Sequence, residues 1–328
     1  MGKEEESARP QLSIRHLRVR FRPRGRWFWP QRGWISAVND VHLDIRAGET
    51  VGIVGESGSG KSTLARALVG LTKTAGGSIR YNERELLGLD AKSWRGVRRD
   101  IQLVFQDPLA SLNPKWTIRR IVGEPLQQLC PEMDADGRDR RVLEVLQRVG
   151  LGSDCLDRRP HEFSGGQAQR IGIARALAVG PKVLICDEPV SALDVSIQAQ
   201  IINLLMDLRD ELGLTLLFIA HDLAVIRQIS SRVVVMYFGR VVEQGPVARI
   251  FEQPRHPYTR MLLASLPGTE QGIEKIDGEP PDPRMPILGC PFHTRCPLVD
   301  SMCVRELPTL RRVGADHYAA CHFVGTGR

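Results

Sequence analysis

Three short segments, in a fixed order along the chain, constrain its fold more than any other feature. The glycine-rich loop Gly55-Glu-Ser-Gly-Ser-Gly60-Lys61-Ser62 precedes Ser164-Gly-Gly-Gln167, and the acidic pair Asp187-Glu188 follows. A short apolar run, Thr50 to Val54, leads into the loop, and residues 62–71 have helical spacing. A strand, a glycine loop and a helix in succession are the setting in which such a loop binds phosphate. The order therefore predicts an α/β nucleotide-binding protein.

The glycine loop contains the residue types that phosphate binding needs. Its glycines allow a tight turn that aims backbone N–H groups at phosphate oxygens, and the N-terminus of the following helix favours negative charge. Lys61 is expected to contact the β- and γ-phosphates, and Ser62 to bind Mg²⁺. The predicted nucleotide-binding residues of this segment are Gly55, Glu56, Ser57, Gly58, Ser59, Gly60, Lys61, Ser62 and Thr63.

The two carboxylates follow the apolar run from Val183 to Cys186, so both are predicted at the end of a buried strand. Hydrolysis of a nucleotide triphosphate needs a ligand for the metal ion and a group that activates water. Asp187 suits a water-mediated contact with Mg²⁺, and Glu188 suits polarisation of the attacking water. Glu188, together with Lys61, is therefore a predicted catalytic residue.

The rest of the pattern predicts how the chain is organised. Apolar alternation in residues 12–21 and 38–45 indicates two strands, and helix formers in about 107–165 indicate a small helical subdomain. The apolar run from Leu214 to Ala220 is typical of a parallel strand that is covered on both faces. Regularity fades after residue 245, and prolines in residues 266–289 predict a linker.

The composition excludes several classes. With 42% hydrophobic and 25% charged residues, the chain has ordinary globular composition, and its apolar runs are too short to span a bilayer. The start, Lys3 to Glu6, lacks the features of a signal peptide. The net charge is +7, and residues 7–39 hold eight arginines and no acidic residue. This basic stretch is interpreted as a solvated strand face and loop, with anionic lipid, a partner or nucleic acid as alternatives.

With Pro189 and Ser191-Ala-Leu-Asp194 added, the chain resembles the ATP-binding-cassette (ABC) ATPases over residues 10–265. The resemblance implies a P-loop ATPase with a RecA-like core, an antiparallel β subdomain and a helical subdomain. A simple P-loop kinase has no counterpart of the Ser-Gly-Gly-Gln segment.

The same resemblance implies roles for further residues. Gln106 would contact the γ-phosphate and Mg²⁺, and His221 would contact the γ-phosphate during catalysis. Ser164, Gly165, Gly166 and Gln167 would complete the ATP site of a partner subunit, and Ser191, Ala192, Leu193 and Asp194 would communicate between the two subunits. An aromatic residue before the second strand would stack on adenine; Trp34 is the candidate and Trp29 its rival.

Longer segments resemble one branch of these ATPases, the oligopeptide/dipeptide importers. They are Phe105-Gln-Asp-Pro-Leu-Ala-Ser-Leu-Asn-Pro114, Arg170-Ile-Gly-Ile-Ala-Arg-Ala176, Pro189-Val-Ser-Ala-Leu-Asp-Val-Ser-Ile-Gln-Ala199 and His256-Pro-Tyr-Thr259. The resemblance implies a heterodimer with a homologous ATPase, two transmembrane permease subunits and an extracytoplasmic peptide-binding protein, at the cytoplasmic face of the inner membrane. Nickel, glutathione and murein peptides are alternative substrates.

A competing class is an ABC ATPase that acts on nucleic acid or the ribosome, which the basic N-terminal segment permits. The presence of one cassette and the absence of a long heptad stretch argue against it.

The C-terminal tail, residues 290–328, contains Cys290, Cys296, Cys303 and Cys321. Their spacing differs from the Cys-x2-Cys of zinc fingers and ribbons, but four thiolates in a segment with little core of its own favour a metal that holds it together. The family resemblance implies a [4Fe-4S] cluster, with zinc as the alternative and reduced structural cysteines as a third possibility. His293, His317 and His322 are possible substitute ligands.

Overall fold

The computed structural model describes residues 9–22, 34–266, 281–282 and 287–324. Its strands are β1 (Leu12–Phe21), β2 (Ile35–Ile45), β3 (Thr50–Val54), β4 (Gly76–Tyr81), β5 (Arg84–Glu85), β6 (Ile101–Val104), β7 (Val183–Asp187), β8 (Thr215–Ile219), β9 (Arg232–Tyr237), β10 (Arg240–Pro246), β11 (Arg311–Gly314) and β12 (His317–Ala319).

The α-helices of the same ranges are α1 (Lys61–Leu68), α2 (Ala91–Asp100), α3 (Pro108–Ser111), α4 (Ile118–Leu129), α5 (Ala135–Arg148), α6 (Gly165–Leu177), α7 (Val195–Leu212), α8 (Leu223–Ile229), α9 (Val247–Glu252), α10 (Pro257–Ala264) and α11 (Ser301–Arg305). Short 3-10 turns occur at Ser153–Cys155, Pro160–Glu162 and His293–Arg295. None of the helices in the described ranges combines the length and hydropathy that a bilayer span requires.

The chain divides into two compact units, and the first contains residues 46–50 and 88–220. Its strands β6, β7 and β8 are parallel neighbours in that order, with Cys186 opposite Phe218 in the pairing of β7 with β8. Every residue of β7 and β8 is buried. This explains why both strands are apolar without alternation, and it confirms the prediction of parallel strands covered on both faces.

Three helices, α3, α4 and α5, lie within residues 108–148 of this first unit, where helix formers are frequent in the sequence. Each of α3, α4 and α5 begins after a residue whose side chain accepts a hydrogen bond from a backbone N–H of the first turn: Asp107, Thr117 and Asp134. Such caps satisfy N–H groups that have no partner inside the helix. The buried face of α5 contains Val142, Val145 and Leu146, which belong to the apolar stripe seen in the sequence.

The second unit comprises the described parts of residues 10–45, 51–87 and 221–328. It contains an antiparallel sheet of order β2-β1-β4-β5 and a run of strands in the order β11-β12-β10-β9-β3. In that run, β3 is parallel to β9, and the other pairs are antiparallel. The alternating apolar residues of β1, such as Ile14 and Val19, are fully buried, and β1 pairs with β2 as predicted.

Helix α1 of the second unit is shorter than the expected 62–71. It ends at Leu68, because Gly70 adopts the left-handed conformation with φ 68° and the Leu71 N–H donates to the Arg66 carbonyl at 2.8 Å. A glycine in this conformation is a common way to terminate a helix. The predicted helix is too long because the apolar spacing continues past Gly70, whose left-handed conformation ends the helix.

The expectation that regularity fades after residue 245 is wrong. Helix α9 follows β10 directly and α10 begins at Pro257, and β12 of the tail pairs antiparallel with β10, with Ala319 opposite Glu243. These elements are only three to eight residues long, so they are too short to show a periodic pattern. The described part of the tail therefore belongs to the second unit and uses that unit's core.

Candidate nucleotide site

The glycine loop of the second unit has a backbone that only glycine permits at two positions. Gly55 and Gly60 have φ values of 154° and 101°. A Cβ atom on Gly55 would lie 2.1 Å from the Met236 carbonyl oxygen, and one on Gly60 would lie 2.2 Å from that of Ala37. Any larger residue would clash with backbone at these positions, so the loop needs its glycines for close packing as well as for the turn.

Lys61 opens helix α1 and is buried, with 4% of its surface exposed. Its ammonium donates hydrogen bonds to the carbonyl oxygens of Gly55 at 2.7 Å and Glu56 at 3.0 Å, and Ser59 Oγ lies 3.5 Å away. The cation is thereby held in the bend of the loop, where an incoming phosphate can meet it. The next residues on α1, Ser62 and Thr63, are half-buried.

The loop is held from outside by two residues of the C-terminal part of the chain. The Glu56 N–H donates to the hydroxyl of Tyr258 at 2.8 Å. The Glu56 carboxylate accepts two hydrogen bonds from Arg295, at 2.8 Å and 3.0 Å. Burial raises the pKa of Tyr258, so its hydroxyl stays protonated. Sequence reasoning missed both residues; the only signal was the motif His256-Pro-Tyr-Thr259, which contains Tyr258.

A buried carboxylate, Glu243 of β10, ties the tail to the segment before α10. It accepts hydrogen bonds from the backbone N–H groups of Arg255 at 2.7 Å and His256 at 2.9 Å, and His317 Nε2 of β12 lies 2.7 Å from it. Glu243 is fully buried, so its charge depends on these partners for stabilisation. His317 is therefore engaged away from the cysteines.

Trp34 immediately precedes β2, as expected for an adenine-stacking residue, and is 50% exposed. The guanidinium of Arg22 lies 4.7 Å from the centre of its ring. This is a cation–π contact with one face of the indole ring. Its rival Trp29 lies outside the described residues.

His221 is exposed and stands just before helix α8, whose first turn is capped by Asp222. Its contact with a γ-phosphate remains a prediction.

In the first unit, the structure brings Gln106 and Glu188 together. Gln106 Nε2 donates to Glu188 Oε2 at 2.8 Å. Glu188 has φ 47°, a left-handed conformation that costs about 1–2 kcal/mol for a residue with a side chain. Its N–H donates to the Ile219 carbonyl at 3.0 Å, which fixes the backbone in this conformation. Asp187 ends β7 and is buried.

The Ser164-Gly-Gly-Gln167 segment starts helix α6. Ser164 Oγ accepts from the Gln167 N–H at 3.3 Å, and Gln167 Oε1 accepts from the Ser164 N–H at 3.0 Å. This reciprocal cap orients the first turn of a thirteen-residue helix whose N-terminus favours an anion. Ser164, Gly165 and Gln167 are exposed. Gly166 packs so closely on α7 that a Cβ there would lie 2.5 Å from Ile197 Cγ2.

The segment from Ser191 to Asp194 is attached to the catalytic candidate Glu188. Ser191 Oγ donates to the Glu188 carbonyl at 3.1 Å. Asp194 caps α7 by accepting from the Ile197 N–H at 3.0 Å, and this hydrogen bond lowers the pKa of Asp194. Ala192 is exposed and Leu193 is half-buried. A displacement of this segment would therefore change the hydrogen bond to the Glu188 backbone.

The four tail cysteines lie close enough to influence one another electrostatically. Cys290, Cys303 and Cys321 are buried and Cys296 is half-buried, and the Cys290 N–H donates to the Cys303 carbonyl at 2.8 Å. Burial raises the pKa of Cys290 to about 12 and that of Cys296 to about 11, and each thiol is further affected by charge on its neighbours. Within the described ranges, no three cysteine sulfurs all lie within 4.8 Å of one another.

The other two histidines of the tail have backbone partners. His293 Nδ1 lies 2.7 Å from the Cys290 carbonyl, and His322 Nε2 lies 2.9 Å from the Glu306 carbonyl.

Comparison with known protein families gives two matches along this chain. The ABC transporter family matches residues 38–191, which include the glycine loop, the Ser-Gly-Gly-Gln segment and both carboxylates. A family described as the oligopeptide/dipeptide transporter C-terminal region matches residues 242–303, which include Tyr258, Arg295 and three of the tail cysteines.

Curated relatives resemble the chain over nearly its whole length. The oligopeptide transport ATP-binding protein OppF of Escherichia coli is 49% identical over 318 residues, covering 94% of this chain and 95% of that protein. The oligopeptide transport ATP-binding protein AppF of Bacillus subtilis is 46% identical over 318 residues, covering 95% and 96%.

Solved structures resemble the cassette. The ATP-binding cassette MJ0796, in a dimeric post-hydrolysis state bound to ADP and phosphate, has a TM-score of 0.64 and 32% identity, covering 72% of this chain and 98% of that one. Another dimeric structure of MJ0796, a bacterial ABC transporter cassette, has a TM-score of 0.64 and 31% identity over the same shares.

Proposed function

This chain belongs to the ABC transporter ATPases, within the group of oligopeptide transport ATP-binding proteins, and we propose that it is the energy-coupling subunit of a bacterial importer of oligopeptides or dipeptides. The observation that carries the proposal is the match of residues 242–303 to the oligopeptide/dipeptide transporter C-terminal region, in a chain that also has every residue type needed for ATP hydrolysis. Among such importers, it resembles the second ATPase subunit of the oligopeptide type.

The proposed chemistry assigns one task to each side chain. Lys61 neutralises the β- and γ-phosphates, and the N–H groups of the glycine loop and of α1 donate to them. Ser62, Gln106 and Asp187 would hold Mg²⁺, which supplies charge neutralisation at the transferred phosphoryl group. The contact of Gln106 with Glu188 supports a common orientation of the metal-side amide and the catalytic carboxylate.

Glu188 is the proposed general base. It orients the attacking water and accepts its proton as the bond to the γ-phosphorus forms, while the ADP oxygen leaves on the opposite side. His221 contacts the γ-phosphate, and Trp34 stacks on adenine. The hydrogen bond from the Glu188 N–H to Ile219 supports this assignment, because it fixes the backbone from which the carboxylate projects.

The active form is a head-to-tail pair with a homologous ATPase. Ser164, Gly165, Gly166 and Gln167 would act on the ATP held by the partner subunit, and the exposed, capped N-terminus of α6 supports that role. Ser191 to Asp194 would report the partner's state to Glu188. Closure on ATP would move two permease subunits, and hydrolysis would reset them. An extracytoplasmic protein would deliver peptide, and the chain would act at the cytoplasmic face of the inner membrane.

The tail is proposed to hold a [4Fe-4S] cluster through Cys290, Cys296, Cys303 and Cys321. Four sulfurs around one zinc ion at about 2.3 Å would lie within about 4 Å of one another, which is closer than the described thiols. Four cysteines, three of them buried, are the ligand set that a [4Fe-4S] cluster uses. The role of such a cluster would be structural or regulatory, because the ATP chemistry does not require it.

The function is tested by purifying the complex from native membranes and measuring uptake. We expect a second ABC ATPase, two permease subunits and a peptide-binding protein to co-purify. ATP-dependent uptake by the reconstituted complex should be competed by short peptides and not by nickel or glutathione. A ribosome-associated or RNA-associated complex without permeases would overturn the proposal and favour the alternative class.

The cluster has its own test, in protein prepared without oxygen. We expect a brown sample that contains iron and acid-labile sulfide, and serine at any of the four cysteines should reduce both. Serine at Cys130, which lies in the first unit away from the tail sequence, is the matched control and should leave the iron content unchanged. Stoichiometric zinc without iron would refute the cluster.

A further inference from the structure

We propose that Arg295 of the tail is a positioning residue for ATP binding, which acts by holding Glu56 at the start of the glycine loop. The C-terminal tail would then set the affinity of the loop for nucleotide. This inference rests on the proposed use of the glycine loop for ATP, and it concerns contacts within the second unit only.

Arg295 contacts Glu56 through both ends of its guanidinium group. Both terminal nitrogens of the guanidinium donate to the two oxygens of Glu56, at 2.8 Å and 3.0 Å. The side chain of Arg295 is 11% exposed, so this pair is much less screened by solvent than a surface ion pair. A bidentate contact of this type fixes orientation as well as distance.

Arg295 follows a buried part of the tail, which fixes its position. It ends the short turn His293–Arg295, which follows the fully buried Phe292. The Phe292 ring lies 5.3 Å from that of Tyr237 and 5.4 Å from that of Tyr258, centre to centre. Tyr258 also accepts the hydrogen bond from the Glu56 N–H. One aromatic cluster therefore supports both contacts to Glu56.

Glu56 is also bonded to Lys61, the cation proposed to bind the phosphates. The Glu56 carbonyl accepts a hydrogen bond from Lys61 Nζ at 3.0 Å, next to the Gly55 carbonyl at 2.7 Å. A rotation of the Glu56 peptide or side chain would therefore displace a group that holds Lys61. Arg295 reaches the ammonium of Lys61 through a single intervening residue.

The charges of Arg295 and Glu56 also matter for the binding of an anion. Glu56 is a carboxylate in the loop that is proposed to bind a polyanion, and Arg295 balances its charge. Without the guanidinium, the carboxylate would repel the phosphates; without the carboxylate, the repulsion would be absent. Removal of the Arg295 guanidinium should therefore raise KM for ATP more than removal of the Glu56 carboxylate does. Removal of the carboxylate should partly restore KM in a protein that already lacks the guanidinium. A side chain that merely stabilised the fold would not produce this pattern.

The experiment measures KM for ATP and kcat in the assembled complex for Arg295→Met, Glu56→Gln and the double variant. We expect Arg295→Met to raise KM about tenfold and to change kcat less than about twofold, since contacts made equally in ground and transition states affect KM alone. Glu56→Gln should raise KM about two- to threefold, because the loop loses its bidentate contact while the repulsion is also removed. The KM of the double variant should lie within about threefold of the wild-type value. High salt should shrink the effect of Arg295→Met.

Arg305→Met is the matched control, because Arg305 lies on α11 of the tail and its side chain bonds to the Ser301 carbonyl rather than to the loop. Its KM should equal that of wild type. An unchanged KM in Arg295→Met, with the wild-type complex active, would overturn the inference, as would fully additive effects in the double variant. A wild-type complex that does not use ATP would instead defeat the proposed function. If Arg295→Met does not fold, Arg295→Lys keeps the charge without the bidentate contact, and its KM should rise less than tenfold but measurably.

Discussion

The glycine loop and the C-terminal tail acquire their structures in different ways. The loop is local: Lys61 bonds to carbonyls five and six residues earlier, and its glycines make the turn possible. The tail depends on distant partners, since Arg295 bonds to Glu56 and His317 lies against Glu243. The loop that is proposed to bind the phosphates is therefore encoded in one short segment, whereas the contacts that support it come from residues far along the chain.

The largest effect is expected from a substitution within the glycine loop itself. Lys61→Ala removes the cation that is held by the Gly55 and Glu56 carbonyls, so we expect ATP affinity to fall at least about a hundredfold and hydrolysis to be lost with it. Nucleotide binding by the purified chain checks this. Lys73→Ala, at an exposed position of the same unit, is the control and should bind normally. Normal ATP turnover in a complex with Lys61→Ala would show that this loop is not the active site.

The same contrast explains what the sequence predicted and what it did not. Strands β7 and β8 were predictable because both consist mainly of buried apolar residues, and the loop was predictable because its glycines and lysine lie within one short segment, residues 55–61. Strand β12 has three residues and gains its stability from pairing with β10, so no local pattern identifies it. Tyr258 was visible only as part of a motif, without its role.

Acid is predicted to destabilise the protein through His256, which is hydrogen-bonded to the backbone of Tyr258. His256 is buried, and its Nδ1 accepts the hydrogen bond from the Tyr258 N–H, so the ring must be neutral there. Burial lowers the pKa of His256 from 6.5 to about 4, against the opposing charge of Glu243. Because the unfolded chain takes up this proton at a higher pH, stability should fall as pH falls from about 6.5 to about 4, by roughly 2–3 kcal/mol.

Denaturant unfolding of wild type and His256→Gln across this range measures the effect. The glutamine variant should be less stable at pH 7 and should lose less stability on acidification. Equal slopes for the two proteins would assign the acid sensitivity to other groups.

The smallest expected effect comes from removing one atom of the support. Tyr258→Phe keeps the buried ring and deletes the hydroxyl that accepts from the Glu56 N–H, so a hydrogen bond of about 1 kcal/mol is lost. We expect KM for ATP to rise about fivefold with little change in kcat. Tyr318→Phe, on β12 of the tail, is the control. If Tyr258→Phe and Tyr318→Phe both have the KM of wild type, the hydrogen bond between Glu56 and Tyr258 does not affect ATP binding. The distant contacts would then support the structure of the loop without affecting its function.

We propose that this chain hydrolyses ATP as one half of a pair, with Glu188 as the base. The most direct measurement is nucleotide trapping by Glu188→Gln in the presence of the partner ATPase, followed by size-exclusion chromatography and analysis of bound nucleotide. The amide keeps the shape of the carboxylate and cannot accept the proton, so we expect ATP to stay bound, turnover to fall at least about a hundredfold, and the closed pair to accumulate. Turnover at the wild-type rate, or ATP binding without any association of the two ATPases, would contradict the account.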